Sequence, residues 1–277
     1  MCKTAIVTGG SGRIGHGLAV VLAEHGYDLA ITYARNAEGA QRTCREVEAL
    51  GRRCFVYQAW LDQPEVPAKI VAQARNDLGR LDLFVCNAGT DSRASILTAT
   101  AEDLDRIYTS NFRAYCLCAG AAARHMVKDG TAGSILFISS TRGQQAYPDD
   151  FIYGSQKAAV DRACRSLALD LSRYNIRVNT ISPGAVWSDE AITTEHEFVS
   201  QSIPLHRTGT PRDMGELAAF LADPAKSGYI TGEVIRVDGG LILPGMMECD
   251  EPTRWVDPQW QQAQQDAAMK ILEDEKL

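Results

Sequence analysis

Apolar positions along the chain follow two rhythms that alternate. Short continuous apolar runs at residues 4–8, 29–33, 54–59, 81–86, 134–139, 177–181 and 233–237 read as strands. Between them apolar residues recur every three or four positions, as Ile14, Leu18, Val21 and Leu22 do before Gly26 stops the helix. The same spacing predicts helices over residues 38–50, 64–78, 101–126, 153–174 and 212–221. Strands that are apolar throughout, not at every second position, are buried on both faces. Seven such strands separated by helices predict an α/β domain: a doubly wound, seven-stranded parallel sheet with helices on both faces. No repeat or linker interrupts the series, so residues 1–245 are expected to form one domain. Residues 246–277 are different, acidic and rich in Gln. There Asp257-Pro258 suits a helix start. Trp260, Ala263, Ala267 and Ile271 then form one apolar stripe, which predicts a C-terminal helical extension docked through Trp255 and Trp260.

Composition narrows the function classes. Of 277 residues, 35 are acidic and 28 basic, a net charge of −7 that disfavours nucleic acid and anionic membrane as partners. No apolar run reaches the roughly 18 residues of a membrane span, and the first residues lack a signal peptide's apolar stretch. Of the eight cysteines, Cys44, Cys86, Cys116 and Cys164 fall inside periodic segments, as buried thiols of a reducing compartment do. A cytoplasmic protein is expected. The five histidines have no ligand-like spacing, so no metal site is expected.

The first strand runs into Thr8-Gly9-Gly10-Ser11-Gly12-Arg13-Ile14-Gly15 and then a helix. Glycines let backbone approach a pyrophosphate, and the helix start presents free N–H groups. A glycine turn alone is a weak signal; its place between the first strand and first helix makes it a dinucleotide loop. The second strand ends on Tyr33, where an acidic residue would hold the ribose 2′-hydroxyl of NAD. Arg13 and Arg35 instead favour a 2′-phosphate, and so NADP(H) over NAD(H).

Tyr153 and Lys157 stand four apart, one above the other on a helix face. The cation is expected to draw the phenol's pKa from about 10 toward neutrality. Taken alone, that spacing also describes an exposed helix pair. Ser140 ends the fifth strand and Asn87-Ala88-Gly89 follows the fourth, at the sheet edge where parallel sheets bind ligands.

With Asn111 and Pro183-Gly184, these motifs resemble the short-chain dehydrogenase/reductase family over residues 3–245. The stretches 203–211 and 229–240 are most similar to its 3-oxoacyl-(acyl-carrier-protein)-reductase-like branch. The resemblance implies a Rossmann-type fold, strand order 3-2-1-4-5-6-7, and hydride transfer between a nicotinamide cofactor and a ketone, sugar or 3-oxoacyl substrate or the corresponding alcohol. It implies Tyr153 as general acid or base, Lys157 as its partner and ribose ligand, Ser140 on the substrate oxygen, and Asn111 holding a relay water. Gly9, Ser11, Arg13, Ile14, Gly15, Tyr33, Arg35, Asn87, Ala88, Gly89, Tyr153, Lys157, Pro183, Gly184, Val186 and Ser188 would contact the cofactor. A homotetramer is also implied. Arg13, Trp60 and Ser188 depart from the family pattern at a loop glycine, an adenine-contacting Asp and a Thr; Leu61 or Asp62 could replace the adenine contact. The alternative is a catalytically silent NADP(H)-binding sensor or scaffold, whose relatives commonly lack the Tyr or Lys present here.

Overall fold

The computed structural model describes residues 2–187 and 194–243, with 258–259, 262–263, 265–266 and 269–270 of the tail. The strands are β1 (Lys3–Val7), β2 (Tyr27–Tyr33), β3 (Cys54–Gln58), β4 (Leu83–Cys86), β5 (Ser134–Ile138), β6 (Arg177–Pro183) and β7 (Val234–Val237). They form one parallel sheet in the order β3-β2-β1-β4-β5-β6-β7. The order reverses between β1 and β4, which opens a crevice at their carboxyl ends.

Strand pleating divides the apolar runs between two cores. Ile6, Ala30, Phe84, Ile135, Phe137 and Val178 face α3 (Val66–Leu78), α5 (Ala114–Lys128) and α6 (Phe151–Ser172). Their neighbours Val7, Leu29, Ile31, Val85, Leu136 and Ile181 face α1 (Arg13–Glu24), α2 (Ala37–Ala49) and α8 (Pro211–Ala222). Capping boxes, Thr100 with Asp103 and Thr210 with Asp213, start α4 (Ala101–Ile107) and α8.

The single helix expected over 101–126 is instead two, α4 and α5, joined by a wide π-type turn at Tyr108–Arg113. The Thr109 and Ser110 hydroxyls bond back to the Arg106 carbonyl at 3.1 and 2.8 Å. Such back-bonding competes with the helical ladder and widens the turn. Two helices lie beyond the expected set, α7 (Thr194–Gln201) and the short α9 (Pro224–Ser227), which Asp223 caps through Ala225 N–H.

The apolar residues of α5 and α6 go mostly inward. Tyr115 and Ala121 are buried, and Leu167 and Leu171 pack against the core; Leu117 and Leu169 stay exposed. In the tail the described residues are helical, and Ala263 is exposed. Trp255, Trp260, Ala267, Ile271 and the boundary at 245 lie outside the described residues. No helix among the described residues is long and apolar enough to cross a membrane.

Helices α1 and α8 touch backbone to backbone. A Cβ on Gly17 would lie 2.4 Å from Pro211 Cβ and 2.6 Å from its carbonyl oxygen. Gly17→Ala is therefore expected to lower stability by about 1–3 kcal/mol, the usual range for overpacking. Denaturant titration checks it: the midpoint should fall with the m-value unchanged.

Candidate active site

The loop after β1 is built as a backbone cradle. Gly9 takes φ +70°, and a Cβ on Gly15 would stand 2.1 Å from the Gly9 oxygen, so neither position has room for a side chain. Thr8 Oγ1 accepts from the N–H groups of Asn87 and Ala88 at 2.8 and 3.0 Å. Asn87 Nδ2 donates to the carbonyls of Thr8 and Gly9 at 2.8 and 3.2 Å. The end of β4 thereby fixes the loop. Helix α1 starts behind Gly12 with no side-chain cap, leaving the first-turn N–H groups of Arg13, Ile14 and Gly15 open to an anion. Residues that crowd backbone together and leave a helix start uncapped fit a pyrophosphate.

Half-buried Tyr33 ends β2, and exposed Arg35 lies with its guanidinium 5.4 Å from the Trp60 ring centroid. Asn36 caps α2 through Gly39 N–H at 2.9 Å and donates to the Ser11 carbonyl at 3.3 Å, tying this corner to the loop. Arg13 is exposed on the loop side. Leu61 turns into the core and the Asp62 carbonyl accepts from Arg113, so Trp60 is the neighbour that Arg35 finds.

Ser140, Tyr153 and Lys157 meet beyond β5. Ser140 opens a single tight turn, Thr141–Gly143, and its Oγ accepts from Arg142 N–H at 3.2 Å. Tyr153 and Lys157 lie one turn apart on α6, and the Tyr153 hydroxyl lies beside the Ser140 side chain. The Tyr153 phenol is pushed up to about 12, chiefly by burial; the Ser140 hydroxyl beside it acts against this. That reverses the downward shift expected from a neighbouring cation. Burial outweighs the cation, and Lys157 Nζ, 5.5 Å from the Tyr153 ring centroid, donates at 2.8 Å to the Ile138 carbonyl. The Lys157 ammonium is buried and lowered to about 8 by desolvation, which the charge of Asp161 partly offsets.

Asn111 is fully buried in the wide turn. Its Oδ1 accepts from Thr90 N–H and its Nδ2 donates to the Thr90 carbonyl, both at 2.8 Å. Both ends of the amide are therefore engaged with the loop after β4. A Cβ on Gly89 would stand 3.0 Å from Asn111 Oδ1, so this loop lies directly against the turn. Past β6, Gly184 N–H bonds to the Val237 carbonyl, and Val186 bridges to Gly209, which runs the 183–186 backbone along the same edge. Ser188 lies outside the described residues.

A protonated phenol, a serine hydroxyl and a buried ammonium on one side of a crevice, with an anion cradle on the other, can donate a proton to an oxygen beside a bound dinucleotide. Thr8, Asn36, Tyr115 and Asp161 also shape the site. Of these, Thr8 was legible as the first residue of the glycine-loop motif, and Asp161 had a signal in lying four residues beyond Lys157 on one helix face. A cavity of about 640 Å³ lies at the opposite, amino edge of the sheet, lined by Lys3, Tyr27, Arg80, Asp82 and Arg177 among others. Its guanidiniums are engaged: Arg80 with Asp82, and Arg177 with the carbonyls of Leu221, Ser227 and Ile230. Among the described residues no His, Cys, Asp and Glu cluster could hold a metal.

A family model described as enoyl-(acyl carrier protein) reductase matches residues 10–242. The 3-oxoacyl-(acyl-carrier-protein) reductase of Staphylococcus aureus is 32% identical over 246 residues, 88% of this chain and 99% of that protein. L-rhamnose 1-dehydrogenase (NAD(P)(+)) of a Sphingomonas species is 33% identical over 246 residues, 87% and 96% of the two chains. The crystal structure of acetoin dehydrogenase from Enterobacter cloacae matches with a TM-score of 0.83 and 36% identity, over 90% of this chain and 99% of that one.

The buried lysine predicts a pH dependence. Below about pH 8 the ammonium is charged in folded and unfolded chains alike, and its burial penalty is constant. Between about 8 and 10.5 the unfolded chain keeps the proton longer, so stability rises with pH. Relative to Lys157→Met, the wild type should gain about 2 kcal/mol between roughly pH 7.5 and 9.5. Denaturant titrations at the two pH values measure it, and an unchanged difference would refute the depressed lysine.

Proposed function

The chain belongs to the short-chain dehydrogenase/reductase family, oxidoreductases that act on CH–OH and C=O groups, and we propose that Ser140, Tyr153 and Lys157 perform that reaction here, with Asn111 in support. The observation that carries this reading is the pair of neighbouring Ser140 and Tyr153 hydroxyls beside buried Lys157, across the crevice from the glycine cradle. A nicotinamide cofactor supplies or accepts the hydride when bound. In reduction the carbonyl carbon gains that hydride and its oxygen gains the Tyr153 proton, giving a secondary alcohol; oxidation reverses both transfers. A phenol held high by burial is protonated at neutral pH, as the reductive direction requires. Ser140 donates to the substrate oxygen as charge develops on it. Lys157 returns a proton to Tyr153 and reaches the nicotinamide ribose. Because the Asn111 amide is engaged with Thr90, its part is to shape the wide turn, whose backbone would hold the relay water.

The cofactor reading is NADP(H) over NAD(H). It is supported by Arg13 and Arg35 at the adenosine end and by Tyr33 in place of an acidic residue. Gly9, Ser11, Ile14 and Gly15 would hold the pyrophosphate. Asn87, Ala88 and Gly89 would line the adenosine side, and Pro183, Gly184, Val186 and Ser188 the carboxamide. The substrate is a small carbonyl compound or its alcohol, of the ketone, sugar or 3-oxoacyl type. We further read residues 1–245 as the catalytic unit with 246–277 appended. Exposed Leu117 and Leu169 on α5 and α6 support a homotetramer. The buried thiols of Cys44, Cys86 and Cys164 suit the cytoplasm; Cys116, expected buried with them, is exposed on α5, where Cys118 is the residue turned inward.

A panel of acetoin, L-rhamnose and an acetoacetyl thioester with NADPH and NADH, and their oxidised forms for the alcohols, tests the activity. Tyr153→Phe should lower kcat about a hundredfold to ten-thousandfold with the cofactor Kd unchanged, because only the transferable proton is lost. Retention of most of the kcat would exclude Tyr153 as the acid. Arg35→Ala should weaken NADPH binding by about 1.5–3 kcal/mol, the worth of a charge-assisted hydrogen bond, and leave NADH binding unchanged. Equal losses for both cofactors, measured by fluorescence titration, would remove Arg35 from the 2′-phosphate.

A further inference from the structure

Next to the Ser140–Tyr153 pair lies an ion pair that the reaction does not itself use. Arg142 Nη1 lies 3.0 Å from Asp150 Oδ1, and the Asp150 side chain is almost wholly buried. Neither atom makes an aligned hydrogen bond, so charge alone joins them. The guanidinium is also stacked 4.4 Å from the Tyr147 ring centroid. These residues join two segments. Arg142 belongs to the tight turn begun by Ser140, and its N–H donates to Ser140 Oγ. Asp150 is the cap residue of α6, and its carbonyl accepts from Gly154 N–H, beside Tyr153. A Cβ on Gly154 would lie 2.8 Å from the Arg142 oxygen, so turn and helix are in direct backbone contact. The neighbouring Asp149, in a left-handed conformation at φ +56°, accepts from Ala94 N–H and anchors the loop after β4 here as well.

We propose that the Arg142–Asp150 pair is the positioning element of the site: it ties the Ser140 turn to the start of the Tyr153 helix and so sets the two hydroxyls in register. The proposal rests on the roles given above to Ser140 and Tyr153. An aligned pair of hydroxyls is what proton transfer at one substrate oxygen demands, and misplacement of about 1 Å is costly in rate.

The pair also has a charge signature. Tyr153 faces Lys157 and Asp150 on α6, Arg142 and Ser140 on the turn, Asp91 on the loop after β4, and Tyr115 on α5. Asp150 and Asp91 raise its pKa and Arg142 lowers it. Arg142→Gln should therefore move the midpoint of the kcat–pH profile for alcohol oxidation upward, and Asp150→Asn should move it downward. The double variant should return the midpoint to the wild-type value while kcat stays on the order of tenfold low, because the tie is gone.

The test uses the full chain, the best alcohol of the panel and saturating NADP+, with NADPH Kd and thermal midpoint measured alongside. Opposite midpoint shifts with a lowered kcat and unchanged Kd support the proposal. Midpoints that move together or not at all overturn it, as does a fall in thermal stability with kcat per folded molecule intact. Should a single variant fail to fold, the double variant decides on kcat alone, a wild-type value overturning the tie. Tyr153→Phe is run in parallel. If it is inactive while the pair variants match wild type, only the positioning role fails. If it is active, the assignment of Tyr153 fails and the positioning role falls with it.

Discussion

Burying the Lys157 ammonium is the constraint around which the carboxyl edge of this sheet is arranged. An amine taken from water loses much of its preference for charge, and here the depression of its pKa records that loss. The surroundings answer it piece by piece. The last carbonyl of β5 accepts from Nζ, the faces of Tyr115 and Tyr153 lie over it, and the charge of Asp161 acts from the next helical turn. Ser139, whose Oγ donates to the Lys157 carbonyl, fixes the helix to the strand end at the same level. Tyr153 inherits its position and its burial from this arrangement.

The opposite wall of the crevice follows a different principle, in which backbone does the work. Side chains are excluded at Gly9 and Gly15 because the chain doubles back on itself there. Thr8 and Asn87 satisfy the polar groups under the loop, so the N–H groups above it are the ones left open. The two walls are joined through β4: Asn87 secures the loop, and Thr90, three residues later, secures Asn111. One short segment thus relates the cradle to the wide turn between α4 and α5.

That wide turn shows how a local conflict becomes architecture. Thr109 and Ser110 compete for the carbonyl that a regular helix would use, and the extra backbone in the turn carries Asn111 inward to meet Thr90. The Arg35–Trp60 contact has a similar logic at the end of β2, where an aromatic ring supports a guanidinium.

The sequence by itself determined the alternation of strands and helices, the burial of the sheet on both faces and the glycine loop. It also placed Ser140, Tyr153 and Lys157, because all of these depend on residue type at short range: apolar periodicity, helix start signals, and two side chains four apart. Element ends moved by one or two residues where caps and tertiary bonds intervened, as at Thr210 and Asp223. What only the tertiary structure decided is how distant segments share one dielectric. The upward shift of Tyr153 could not be read from Lys157 lying four residues away, because burial outweighs a cation that is itself desolvated. The break at Tyr108–Arg113, the Thr90–Asn111 pairing and the Arg142–Asp150 tie have the same origin. Each joins residues whose partners are chosen by packing of the folded chain, where removal from water turns an ordinary polar contact into one that sets position and charge.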